Sequence, residues 1–425
     1  MTADTNLIAR SGGLKREIIT LARGPRFGPE LYRELQRKFG EAGPADEGKR
    51  INFIDHFILQ HHLGDGRTLL EHFVDERLDL PGAERAMLLG WRDVVEGIFE
   101  VLRMDGEALV TCNLVDDLTY RVRSNMGPGV FVNMPVGAFL MARLVPVDDE
   151  WLLSGDSGVW QAANGADARR MAREMAMNHR ALMFRNPRIL EQAWESQRMD
   201  RRAFIAFFGS DTVVVPGHQL AKRMQDFTYF RHFEWRDAEG KSAVDRAMAS
   251  HGVIPPLPDV SLPANLLKAD SVGVIYDEVD GLNYLTNFGL VEEVFANPSL
   301  ASHRQHREAV LGYLGEPSII PLPFRRLGER YPDGASLVFQ QVLNLPGFLW
   351  EQNGEALLRQ YKASYFEKKV LPIFIPLGPK LMQETVTGWK ARDEPSPSLT
   401  PTPETNSRPG TASKKRGKGR RGKRK

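Results

Sequence analysis

Between Val95 and Trp160 the chain alternates short runs of β-branched and apolar residues with pairs of turn formers. The runs predict five strands: Gly97 to Met104, Ala108 to Val115, Thr119 to Arg123, Phe139 to Val147, and Trp151 to Gly155. Asp105-Gly106, Asp116-Asp117 and Asp148-Asp149 supply tight joints, and a Gly/Pro-rich loop from Met126 to Gly137 supplies a wide one. Asp-Gly between such runs favours a hairpin, because Gly takes φ > 0 without a Cβ clash. Five short strands at this spacing predict a small closed or half-closed β-barrel of the SH3-like or OB type.

The flanks switch to helical periodicity. Leu14, Ile18, Leu21 and Ala22 share one face, and Leu31, Leu35 and Phe39 continue on a second helix. Ile51, Ile54, Phe57 and Ile58 mark a third, from Ile51 to Leu63. Thr68 with Glu71 makes a capping box for Leu69 to Glu76. Pro81 opens Gly82 to Phe99, expected to be helical until the first strand takes over. After the barrel, helices are expected over Ala168 to Phe184, Ile189 to Met199 and Ala203 to Phe208, with Gly209 as a C-cap. Thr212 to Val215 reads as a strand and His218 to Phe227 as a helix. The four prolines of Val253 to Pro263 mark a domain boundary. Beyond them come a strand at Ser271 to Tyr276, an acidic turn at Asp277 to Gly281, and helices at Tyr284 to Phe295, Ser302 to Leu314, Phe324 to Arg330, Gly334 to Leu343 and Gly354 to Val370. Asp393 to Ala412 is Pro/Ser/Thr-rich with almost no apolar residues, and is expected to be disordered.

The fold class is therefore α+β. Residues 1–50 hold N-terminal helices and a linker, 51–162 a helical cap and the barrel, and 163–252 a helical α+β extension. Residues 264–390 form a mostly helical α+β domain, and 391–425 a disordered linker and basic tail.

Composition sharpens this at two points. One cysteine in 425 residues, Cys112, excludes an intramolecular disulfide and a multi-thiolate zinc site. With no secretory signal and no apolar run near the roughly 20 residues that span a bilayer, the expected location is cytoplasmic without membrane insertion. The net charge of +2 hides a division: nine of the last twelve residues are Lys or Arg, leaving −7 on residues 1–413. These nine are Lys414, Lys415, Arg416, Lys418, Arg420, Arg421, Lys423, Arg424 and Lys425. Such a block attracts phosphates by releasing their condensed counterions, so RNA, DNA or a ribosome is the partner it fits.

Several segments around the barrel carry a resemblance. They are Asp65-Gly66-Arg67-Thr68-Leu69-Leu70-Glu71, Trp91, Gly97 to Val101, Asn113-Leu114-Val115-Asp116, Tyr120-Arg121-Val122, Phe139 to Val147, Trp151 and Ser154-Gly155. Over roughly residues 50–230 the chain resembles a group of bacterial cytoplasmic proteins of unknown function. Some members of that group end in the cysteine-rich zinc motif found at the C-terminus of the SecA translocase. This chain has no Cys-x-Cys or Cys-Cys, so the resemblance implies no zinc here, and its motifs transfer no active site.

Other candidate chemistry is weaker. Arg223 to Arg236 interleaves Phe227, Tyr229, Phe230, Phe233 and Trp235 with Arg231, His232 and Arg236, a pattern that fits a base-stacking platform or, more often, core. His56, His61, His62 and His72 lack the i, i+4 spacing of helical metal ligands. Asp55-His56 resembles the doublet of metal-dependent phosphohydrolases without the remaining signature. Gly155-Asp156-Ser157-Gly158 mimics a serine-protease loop, fails at Val159, and reads as a turn leaving the last strand. Cys112 reads as buried and inert. Asp277, Glu278 and Asp280 offer three carboxylates that suit a hard cation such as Mg²⁺, although a solvated turn explains them too. The expected function is a non-enzymatic binding protein without a cofactor, contacting nucleic acid or ribonucleoprotein through the tail. The alternatives are a metal-dependent hydrolase of a phosphorylated substrate using the acidic loop, and a protein–protein adaptor.

Overall fold

A computed structural model of the chain describes residues 3–41, 43–44 and 46–393. The basic tail, Lys414 to Lys425, lies outside the described residues, as does the Pro/Ser/Thr-rich stretch after Asp393.

The five expected strands are present and close a ring in the order β1-β2-β3-β5-β4. They are β1 (Val95–Asp105), β2 (Ala108–Asn113), β3 (Thr119–Arg123), β4 (Phe139–Val147) and β5 (Glu150–Trp160). β1 pairs antiparallel with β2 on one side and β4 on the other. The ring closes through a short parallel contact, Val122 with Trp151 and Arg123 with Leu152. Alternation sends Val95, Phe99, Val101, Leu109, Tyr120, Val122, Leu140 and Leu144 into one interior cluster. Phe99, Tyr120 and Trp151 pack edge-to-face there, with centroids 5.6 and 5.3 Å apart. The wide loop between β3 and β4 folds Phe131 and Met134 into the same cluster. A Cβ at Gly97 would stand 2.2 Å from Asn113 Oδ1, so glycine makes room for this fully buried amide.

β5 is longer than its sequence suggests. Gly155-Asp156-Ser157-Gly158 lies inside the strand, not in a turn that leaves it. The pairing with β4 shifts register between Met141 and Arg143, opposite this segment, and Gly155 at φ 73° absorbs the irregularity.

The cap consists of helices Ala3–Arg23, Gly28–Phe39, Glu47–Leu59, Leu69–Glu76 and Gly82–Gly90. Leu14, Ile18, Phe57, Ile58, Leu70 and Trp91 form its core, continuous with Val145, Val147 and Leu152 of the barrel. The Thr68–Glu71 capping box is formed. The helix after Pro81 stops at Gly90, and the first strand takes over at Val95, two residues before its expected start at Gly97. Residues 95–101 bury alternate side chains, Phe99 inside the barrel and Ile98 against outer helices, and only a strand does this.

The second half departs further from expectation. β6 (Thr212–Val215) pairs antiparallel with β7 (Val272–Asp277), which pairs with β8 (Gly281–Thr286). The residues from Tyr284 are therefore strand before they are helix, and the helix is Phe288–Ala296. Gly281 at φ 69° turns the chain back along β7, and Asn287 at φ 58° ends the pairing. The sheet joins a strand from before the proline run to two from after it. Val253 to Pro263 is thus an irregular crossing within one sheet-and-helix unit, and the expected division between 163–252 and 264–390 is not a break in the core. Helix Ala243–His251 and helix Pro379–Asp393 were not expected. Leu371, Phe374, Leu377 and Leu381 return to the barrel and pack with Ile98, Leu114 and Phe139 on its outer wall.

Candidate functional site

A cleft of about 390 Å³ opens where the cap meets the barrel. Ile51, Ile54 and Ile58 of helix Glu47–Leu59 and Ile19 of helix Ala3–Arg23 make its apolar walls. Its polar floor is Asp55, 2 % exposed, surrounded by donors from three elements. Lys15 donates to Asp55 Oδ1 and to Ser154 Oγ. Ser154 Oγ donates to the same carboxylate oxygen at 2.7 Å. Arg143 Nε donates to Oδ2 at 2.9 Å, while its other nitrogens reach Glu96 and the Gln60 side-chain oxygen at 2.9 and 2.7 Å. Burial raises the Asp55 carboxyl, but the charges of Lys15 and Arg143 outweigh it and hold it below the ordinary carboxylate range.

Hydroxyl, amine and carboxylate together suggest nucleophilic catalysis. The arrangement argues against it. Lys15 Nζ donates to the Ser154 oxygen as well as to the carboxylate, so it is not placed to take the Ser154 proton. Asp55, stabilised as an anion by two cations, is a poor base. The network therefore joins cap to barrel. Its sequence signal was missed because Asp55 and Arg143 stand 88 residues apart.

The acidic loop is the β7–β8 turn, and its carboxylates point to different partners. Asp277 Oδ1 accepts the N–H groups of Val279 and Asp280, and its Oδ2 accepts Arg326 at 2.8 Å. Asp280 accepts the Tyr365 hydroxyl at 2.9 Å, and burial raises its carboxyl. Gln197, fully buried, donates to the carbonyls of Glu278 and Val279 and accepts the Ile373 N–H. Among the described residues no group of three or more His, Cys, Asp or Glu side chains is placed to hold a metal ion. Asp277, Glu278 and Asp280 thus do not form the cation site of the hydrolase alternative; the loop is tied down by neighbours.

The histidines also disperse. His56 meets Gln60 at 3.2 Å, His72 meets Asp65 at 2.9 Å, and His61 lies 3.5 Å from Glu30. Cys112 is buried, and burial raises its thiol. In the aromatic segment Phe227 belongs to the core beside Phe204, whereas Tyr229 is exposed and Trp235 half-buried. No described helix is long and apolar enough to cross a membrane. Compared with models of known families, with curated proteins and with solved structures, the chain matches none.

Proposed function

We propose that the protein is a non-enzymatic binding protein that contacts nucleic acid or ribonucleoprotein through its C-terminal cations. One observation carries this reading: nine Lys or Arg among the last twelve residues, against −7 on the rest of the chain. Each phosphate neutralised releases condensed counterions, which makes binding steeply salt-dependent and weakly sequence-specific. The test uses the full-length chain with Lys414, Lys415, Arg416, Lys418, Arg420, Arg421, Lys423, Arg424 and Lys425 replaced by Gln. Fluorescence anisotropy with single-stranded RNA and duplex DNA should show wild-type affinity falling roughly a thousandfold between 50 and 200 mM salt. Binding should be lost in the variant, and equal binding by both proteins would overturn the proposal.

The barrel belongs, in this reading, to the OB rather than the SH3-like class. Support comes from the strand order, in which β1 is shared by two antiparallel neighbours and β3 meets β5 in parallel. OB folds bind oligomers on the β2–β3 face. Here Arg121 on that face is paired with Asp105 and Glu150, and Arg123 with Glu107. The tail, not this face, therefore leads the proposal. Membership in the bacterial group with the shared segments, and its cytoplasmic setting, form part of the same reading.

A second reading, a protein–protein adaptor, is favoured by the β3–β4 loop. Ser124 to Ala138 contains no charged residue, and Met126, Val132 and Val136 are 82, 79 and 67 % exposed. Exposed apolar surface of this kind is what partner surfaces use.

A further inference from the structure

The polar floor of the cleft between cap and barrel is satisfied from within; the rest of the cleft is not. Lys15, Ile19 and Arg23 follow one another at i, i+4 and i+8 on one face of helix Ala3–Arg23, and all three line the cleft. Lys15 is engaged at the floor by Asp55 and Ser154. Arg23 lies eight residues on, a rise of about 12 Å along the helix. It is exposed, and its guanidinium has no hydrogen bond or ion pair among the described residues. Helix Glu47–Leu59 contributes Ile51, Ile54 and Ile58, and Ile51 is 39 % exposed. The β3–β4 loop adds Met126, whose side chain is almost bare.

The negative charges of the cleft are already placed. Both Asp55 oxygens have donors. Asp156 lies against the first turn of helix Glu47–Leu59, where a Cβ on Gly48 would stand 2.2 Å from Asp156 Oδ2. The positive end of the helix dipole favours a carboxylate there. The charge left without a counterpart is therefore a cation, and the surface between it and the floor is aliphatic.

We propose that this cleft binds an aliphatic carboxylate of medium chain length, its head on Arg23 and its chain along Ile19, Ile51 and Ile54. A planar guanidinium takes a carboxylate through two parallel hydrogen bonds. The lining holds no aromatic ring, so a base has no face to stack on. A phosphate dianion would find a single unpaired cation in a lining that also holds Asp156. The cleft volume, about 390 Å³, suits a small organic ligand. Covering Ile51 and Met126 supplies the hydrophobic gain, and the flexible thioether of Met126 adapts to an alkyl chain.

Isothermal titration of the full-length chain with octanoate, kept below its aggregation concentration, tests the site. Saturable binding is expected. Acetate has the charge without the chain, and octanol the chain without the charge; each should bind at least about tenfold more weakly. Arg23→Gln should weaken octanoate by a similar factor. The Arg23 side chain has no partner to lose, so this variant should melt with the wild type. Ile51→Asn should also weaken binding. No heat up to millimolar octanoate, equal affinity for octanol, or an affinity unchanged by Arg23→Gln overturns the assignment. Tighter binding of N-acetyl-leucine than of octanoate would overturn it in favour of a peptide C-terminus. The chain with its nine tail cations replaced by Gln should retain octanoate binding; loss of it would assign the anion to the tail and remove the cleft from consideration.

Discussion

Asp116 shows what one buried carboxyl imposes on the barrel. It has no exposed surface, takes the Tyr120 hydroxyl at 2.6 Å and the Leu118 N–H at 3.0 Å, and is pushed up to about 6 by burial. An unfolded aspartate titrates near 3.9. Between these values the folded state binds more protons, so this group's contribution to stability falls as pH rises from about 4 through 6. Asp116→Asn removes that component. Urea unfolding across pH 4–7 should show the difference between the two proteins changing by on the order of 3 kcal/mol; a constant difference would sink the assignment. Lys362 carries the opposite sign. Its ammonium, 2 % exposed, donates to the carbonyls of Tyr313 and Glu316 at 2.7 and 2.6 Å, and burial lowers it to about 8. The unfolded chain then holds more protons between about 8 and 10.5, so stability rises with pH in that window. Lys362→Met should flatten the rise, as thermal melts from pH 7.5 to 10 would reveal.

At the scale of elements, two polar ties decide how the parts meet. Asp55→Ala leaves Lys15 and Arg143 without their shared anion. Removing one partner of a buried pair costs roughly 3–5 kcal/mol. The loss should appear in chemical denaturation together with faster amide exchange in helix Ala3–Arg23. Gln197→Ala strips the Glu278 and Val279 carbonyls of a donor, at about 1–3 kcal/mol. Exchange should quicken in the β7–β8 turn and around Ile373, and exchange that stays as slow as wild type there would count against the tie. Local chemistry was legible in these elements: the Thr68–Glu71 box, the Asp-Gly turn and β6 are where residue pattern alone puts them. β8 was not legible. Tyr284 and Leu285 suit a helix, and only the register with β7, from Val272–Thr286 to Asp277–Gly281, makes them strand. The role of Asp55 was not legible either, because its partners Lys15, Arg143 and Ser154 come from other elements.

Across the whole molecule the same contrast holds. The basic block is legible because all nine charges fall within twelve consecutive residues. The cavity lined by Asp200, Trp235 and Arg246 is not, because these residues converge from separate elements. The proline run misleads for a related reason: it looks like a linker, yet β6 on one side of it and β7 on the other share Val213–Val274 and Val214–Gly273 pairs. A protease site inserted within Val253 to Pro263 should therefore yield a cut chain that still elutes as one species in size-exclusion chromatography under native conditions. Two separately folded fragments would contradict a shared core.

The return of Leu371 to Leu381 onto the barrel has a consequence for synthesis. Phe139 leaves the ribosome some 240 residues ahead of Leu381, both on the same apolar wall. At about 5–20 residues per second, that interval is tens of seconds. Once Trp160 has followed, the barrel can close, yet the part of its outer surface that the later segment covers stays bare. The nascent chain thus presents a half-finished hydrophobic wall for most of its elongation, a natural substrate for a holding chaperone.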